Sequence, residues 1–361
     1  MTNPLVGLRL KALREERNIN QDELAKLLGL KDRQTISAIE NGDRRAKAEE
    51  LSAVISHYHL DADYFTDPFR LVGEGKFSWR QNDCSPESLN AYQKRAGSWL
   101  AAFRSLSTES ERPGPRQRLS LKLSQNSTFE QAAAEGERIT VDFQMGDIPA
   151  SNLTRVMEND FGILVLMVDM DKGISGAACS LPEVDAVLVN RNESLGRRSF
   201  DTAHEFFHIL TWDAMPPKPV EDAREKGGNR VEQLANSFAS ALLMPRRLLQ
   251  KFGEWQRLGE AERAHRLRTV AEYFQVSVSA LHWRLVAVRL LTAGSKIPEV
   301  AASDYQSKKP PLFSLAFVKV ISTSIEQGRI SASRAAKLLD LSREALRDLF
   351  AAHGVATPVT V

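Results

Sequence analysis

The stretch that most restricts what this chain can fold into is Phe200 to Trp212, FDTAHEFFHILTW. Apolar residues recur in it at helical spacing, around the pentapeptide His204-Glu205-Phe206-Phe207-His208. Histidines at i and i+4 lie one turn apart on one helix face, so both imidazoles reach a single metal ion. Glu205 stands beside them, placed to take a proton from a water held by that metal. The fold must bury this helix and still bring a further ligand to its histidines.

A catalytic zinc takes three protein ligands and keeps one position open. Cys84 and Cys179 are far apart and have no metal-ligand spacing. Downstream, VEQLANSFASALLMP (Val231 to Pro245) reads as an apolar helix with Glu232 near its start. Ala235, Phe238, Ala239 and Leu242 follow at helical spacing, and the small residues Ala235, Ala239 and Ala241 allow close approach to the metal helix. Glu232 is the expected third ligand, with Glu221, Asp222 and Glu225 as rivals in a polar stretch beside Gly227-Gly228. The bulky Phe207 is expected off the ligand face, where it narrows the cleft. Tyr273, His265 and His282 stay open as donors to an oxyanion.

Upstream, the pattern gives a helix from Asn152 to Asp160, a strand from Gly162 to Val168, a turn over Gly173 to Ala178, and a strand from Ala186 to Asn190. A strand beside the metal helix is where zinc peptidases align an extended substrate by backbone hydrogen bonds. Arg197 and Arg198, just before the metal helix, either cap the site electrostatically or point into solvent, and solvent is the expectation.

The N-terminal part carries a different pattern. Leu5, Leu8, Leu10 and Leu13 begin one helix, QDELAKLLGL forms a second, and DRQTISAIENG a third that stops at Asn41-Gly42. Two helices joined by a short glycine-containing turn make a helix-turn-helix. Arg44, Arg45 and Lys47 follow as a basic run suited to phosphate contacts. Acidic and basic residues nearly balance across this N-terminal unit, so specific rather than bulk nucleic-acid binding is expected. The N-terminus lacks the apolar core of a signal peptide, and the longest apolar run is too short to span a bilayer. A cytoplasmic protein with reduced thiols and no membrane contact is expected.

The expected fold class is α+β and predominantly helical. Residues 1–67 form an all-α helix-turn-helix domain, and 68–118 a linker with one helical segment. Residues 119–255 form a peptidase-like core with a small sheet, 256–293 a helix-turn-helix-like helical subdomain, and 312–361 a C-terminal helical segment.

Two resemblances rest on these residues. RLKALREER, NQDELAKLLG and TISAIENG together resemble the Xre-type helix-turn-helix. This implies that the third helix enters the major groove of double-stranded DNA, with Arg33, Gln34 and Ser37 toward the bases. Gln21 would hold a phosphate or orient that helix. FDTAHEFFHILTW with EQLANSFASALLMP resembles the ImmA/IrrE family of metallopeptidases. That resemblance implies a gluzincin-like domain with Zn2+ on His204, His208 and Glu232, and Glu205 as general base. Phe207 departs from it, since many relatives have glycine there.

The implied function is a DNA-binding regulatory zinc metalloendopeptidase. Its substrate would be a transcriptional regulator or partner repressor in a stress, phage or mobile-element response. Residues 67 to 118 would be the accessible place for a cut in this chain itself. The rival is a non-proteolytic DNA-binding repressor or antitoxin-like protein with a structural or degenerate metal site. A homodimer is the default, because helix-turn-helix proteins read two half-sites.

Overall fold

Caps set the N-terminal helices in the computed structural model, which describes residues 4–73, 75–82, 84–107, 120–171, 173–181, 183–222, 229–292, 294, 295, 297 and 308–359. The first four are α1 (Pro4–Glu16), α2 (Gln21–Leu27), α3 (Arg33–Glu40) and α4 (Ala48–Tyr58). Asn20 Oδ1 accepts the Glu23 amide while the Glu23 carboxylate accepts the Asn20 amide, a reciprocal capping box at the start of α2. Asp32 Oδ1 accepts the Thr35 amide and starts α3. Leu10, Leu13, Leu24, Ala25, Ile36, Ile39 and Val54 fill the space between these helices. Gly7 lets α1 and α3 touch, since a Cβ there would stand 2.1 Å from the Ile39 carbonyl oxygen.

An ion pair locks the arrangement. Arg14 on α1 grips both carboxylate oxygens of Glu40 on α3, at 2.7 and 3.1 Å, and Gln21 on α2 donates to the same carboxylate at 2.8 Å. The buried Arg9 donates to the carbonyls of Tyr64 and Asp67 and ties down the end of this domain. Removing one partner of a buried pair leaves the other charge uncompensated. Glu40→Ala is therefore expected to destabilise these helices by roughly 3–5 kcal/mol, read as lost hydrogen-exchange protection of the α1–α3 amides.

The chain divides into two compact units: Met1–Lys76 with Gln93–Leu106 and Leu181–Glu183, and Phe77–Tyr92 with Ser107–Ser180 and Val184–Val361. After α4 come β1 (Lys76–Gln81) and α5 (Pro86–Leu106). The second unit continues with α6 (Phe129–Asp142), α7 (Pro149–Asn159), β2 (Ile163–Val168), β3 (Ile174–Ser180), β4 (Asp185–Asn190), α8 (Leu195–Leu210), β5 (Val220–Asp222), α9 (Arg230–Leu243) and α10 (Arg246–Leu249). Its sheet has the order β2-β4-β3-β1-β5, with β2 parallel to β4, β3 antiparallel to β4, and β1 parallel to β5.

Two of these strands depart from the sequence reading. Gly173 to Ala178, expected as a turn, mostly belongs to β3; its small residues have weak strand propensity but are fully packed. β1 lies in the stretch read as linker. Phe77, Ser78 and Trp79 are all buried, so both faces are covered and the alternation that marks a half-exposed strand is missing. The polar segment 108–118 lies outside the described residues.

α8 starts at Ser194, whose hydroxyl accepts the Arg197 amide, and is buried from Asp201 to Leu210. α9 packs against it and against α6, where a Cβ on Gly136 would stand 2.6 Å from the Phe238 carbonyl oxygen. Phe207 is fully buried against Phe238, with ring centroids 5.4 Å apart. It is a core residue between α8 and α9 and does not narrow a cleft. The expectation fails because a position off the ligand face of this helix faces its neighbour, not solvent.

Beyond α10 lie α11 (Glu260–Phe274), α12 (Val278–Ala287), α13 (Leu315–Glu326), α14 (Ala332–Leu339) and α15 (Arg343–Ala352). Arg284 on α12 donates to the Met244 carbonyl and pairs with Glu137 on α6, fastening α12 to the core. The Phe313 amide donates to the Met167 carbonyl, bringing the segment before α13 to β2. No helix among the described residues is long and apolar enough to cross a membrane.

Candidate metal centre

His204 and His208 lie one turn apart on α8 with their Nε2 atoms 3.1 Å apart. α9 brings Glu232 against both, Oε2 at 3.0 Å from His204 Nε2 and Oε1 at 3.1 Å from His208 Nε2. The Asn229 side chain accepts the amides of Val231 and Glu232, so the cap of α9 fixes the carboxylate that follows it.

One turn along α9, Asn236 Oδ1 lies 3.0 Å from His204 Nδ1. An amide oxygen only accepts, so the imidazole proton sits on Nδ1 and Nε2 is left as a lone pair. That lone pair faces a carboxylate oxygen and a second imidazole nitrogen. A shared proton satisfies one such contact; a cation satisfies all three. Zinc–nitrogen bonds of about 2.0–2.1 Å in a tetrahedron hold ligand nitrogens about 3.3 Å apart, close to the spacing here. His204, His208 and Glu232 are the group among the described residues able to hold a metal, and they fit zinc.

The electrostatics agree with ligation. Burial, helped by the charge of Arg80, lowers His204 to about 4, so its imidazole is neutral. Burial alone would raise Glu232, but the contacts of its two oxygens with the imidazoles of His204 and His208 outweigh it and hold the carboxylate well below its usual range. Burial pushes Glu205 up to about 7 against the opposing charges of His208 and Arg80. A carboxyl in that range suits proton transfer near neutral pH. It lies beneath β3, where a Cβ on Gly176 would stand 3.8 Å from Glu205 Cγ.

Among the rivals for the third ligand, Glu221 and Asp222 are strand residues of β5, in register with Arg80 and Gln81 of β1. Glu225 lies outside the described residues. His265 is exposed and Tyr273 is partly exposed beside Phe252. His282 is buried on α12, and neither this imidazole nor that of His265 joins the ligand cluster. The solvent orientation expected for Arg197 and Arg198 fails for the buried Arg198, while the Arg197 side chain stays partly exposed. Arg197 pairs with Asp201 at 3.1 Å and donates to Ser175, while Arg198 is buried and donates to the carbonyls of Arg191 and Glu193. Both satisfy acceptors that the burial of α8 would otherwise strand.

Three supporting residues escaped the sequence reading. Asp201, four residues before Glu205, takes Arg80 at 2.6 Å as well as Arg197. Arg80 comes from the unforeseen strand β1. Asn236 had a legible signal, lying four residues after Glu232 on the same face. Asn236→Ala is expected to weaken zinc binding by about 10- to 100-fold, the usual effect of losing a group that orients a ligand, as measured by competition with a chelating dye.

In the other unit, Arg33 and Gln34 are exposed at the start of α3, and Ser37 is half-buried beside Asn41. Gln21 donates to Glu40 of α3 at 2.8 Å. Arg44 grips the buried Glu50 at 3.0 and 2.7 Å and joins the loop after α3 to α4. Arg45 and Lys47 are exposed.

Residues 158–286 match the IrrE N-terminal-like domain, and residues 10–65 match the helix-turn-helix family. The chain joins an Xre-type helix-turn-helix to an ImmA/IrrE-like peptidase domain. The IrrE-like segment contains β2, β3, β4, α8 and α9, and with them all three ligand candidates. The helix-turn-helix segment contains α2, α3 and α4, a domain of DNA-binding kind. No curated protein matches the chain.

Proposed function

We infer that this chain is a DNA-binding regulatory zinc endopeptidase. The observation that carries this reading is the convergence of His204, His208 and Glu232 with Glu205 buried beside them. His204, His208 and Glu232 would hold the zinc. When bound, the ion supplies a Lewis acid that polarises a scissile carbonyl and acidifies water. Glu205 takes the proton of the attacking water and returns it to the leaving amine. Asn236 keeps His204 in the tautomer that can ligate.

The structural-site alternative calls for a fourth protein ligand. Among the described residues none joins the three, which favours an open catalytic position. The substrate we propose is a transcriptional regulator or partner repressor, because the same chain carries a DNA reader. Zinc-loaded protein should cut such a regulator while an inert Glu205→Gln variant does not. Identical behaviour of the two on every candidate would end the proteolysis reading.

On the DNA side, Arg33 and Gln34 read base edges, Arg45 and Lys47 meet phosphates, and a homodimer reads two half-sites. Selection from random duplexes should show that Arg33→Ala and Gln34→Ala each relax preference at one position by about 1–3 kcal/mol. An unchanged preference would remove these residues from the interface.

A further inference from the structure

β3 runs over the metal helix, with Gly176 beside Glu205. One edge of β3 is paired with β4. The other is the edge from which an extended substrate would draw backbone hydrogen bonds next to the base. That edge is filled by β1, which lies between β3 and β5. The Asn82 amide donates to the Gly173 carbonyl at 2.6 Å, and at the other end a Cβ on Gly75 would stand 3.4 Å from the Leu181 side chain. The two strands therefore run in opposite directions.

β1 lies outside the IrrE-like segment and is added from chain that precedes it. Trp79 is buried against Tyr92, and Arg80 reaches α8, where its guanidinium meets Asp201 at 2.6 Å. Asp201 precedes Glu205 by four residues, so its carboxylate stands one turn from the base on the same helix face.

The geometry points to β1 as the resident occupant of the substrate strand position: Lys76–Gln81 competes with incoming peptide for the edge of β3, and Asp201 reads an arginine in the strand that lies there. This rests on the peptidase reading above, and it names the substrate class for that site. The substrate is an extended segment with a large apolar residue followed by arginine, and it enters when β1 leaves.

Binding tests this independently of turnover. The Trp79 amide donates to Pro219, on the β5 side, so by alternation the Ser78 amide faces β3. Ser78→Pro removes that donor and weakens β1 at the shared edge. A fluorescein-labelled peptide of residues 75–82, GKFSWRQN, is titrated against zinc-loaded full-length Glu205→Gln protein with β1 native or carrying Ser78→Pro. Binding is expected to be about tenfold tighter with Ser78→Pro, and about tenfold weaker again when the arginine of the peptide is replaced by alanine, the scale of one charge-assisted contact. Equal binding by the two proteins overturns the proposal.

Hydrogen exchange on the unaltered chain guards against a misfolded variant. β1 amides are expected to exchange at least about tenfold faster than those shared by β3 and β4. Equal protection makes β1 a permanent strand and overturns the proposal. A peptide that binds as expected but is not cut by the Glu205-intact protein leaves the strand assignment standing and removes the peptidase reading.

Discussion

Replacing Glu232 with alanine is expected to strip the centre of zinc. Elemental analysis should find about one zinc per chain in the parent and about a tenth of that or less in the variant, reflecting a loss of affinity larger than the 10- to 100-fold that follows from losing a supporting residue. The reason is electrostatic as much as geometric. His204 is a neutral donor in a buried site, and among the described residues Glu232 is the anion in contact with the Nε2 atoms of both histidines. Without it, a divalent ion would enter a low-dielectric pocket with no anionic ligand in contact with it, and desolvation would win. Glu232→Gln keeps the shape but not the charge, so it should fall close to alanine.

Acid competes for the same atoms. In the metal-free protein His204 sits at about 4, below its ordinary 6.5. Its contribution to stability is therefore full above about 6.5 and declines as pH falls toward 4, because the unfolded imidazole takes up a proton that the buried one refuses. Zinc retention should fall over the same acid range, with loss of fold and loss of metal coupled.

The candidate metal helix and the carboxylate that meets it were legible in sequence because each announces itself within one turn. His204 and His208 share a face by spacing alone, and Glu232 heads an apolar helix whose alanines permit contact. The helix-turn-helix was legible for a similar reason, its caps and apolar positions being local. What stayed hidden depends on contacts between distant segments. β3 is built of glycine, alanine and serine, and only its pairing with β4 makes it a strand. β1 has no alternation because both faces are covered, and Arg80 gains meaning only when the fold sets it against Asp201 across 121 residues. Phe207 was misread because helix periodicity says which residues share a face but not what covers that face. Gln21 and Arg44 show the same limit. Their polar side chains fitted a DNA contact, yet each has a carboxylate partner inside its own domain.

Glu205→Gln is expected to lower cleavage by about 10²–10⁴-fold, the range contributed by a positioned general base, while leaving bound zinc at the parental level. The substitution changes almost no volume in a site that is 2% exposed. Because Glu205 is pushed up to about 7 by burial, a neutral amide should also be accommodated more easily than the charged carboxylate it replaces. The variant should thus be at least as stable as the parent above neutral pH. In that range the parent is penalised for ionising a buried group that the unfolded chain ionises freely from about 4.5. Gel-based cleavage of a regulator, zinc analysis and thermal melting on the same two proteins separate the possibilities. Loss of cleavage with zinc and melting temperature retained assigns Glu205 to the chemistry. Loss of all three would make it a structural residue, and retained cleavage would place the base elsewhere. The distinction is sharp because Glu205 is on the ligand helix but outside the ligand cluster, so nothing about holding the ion requires its charge.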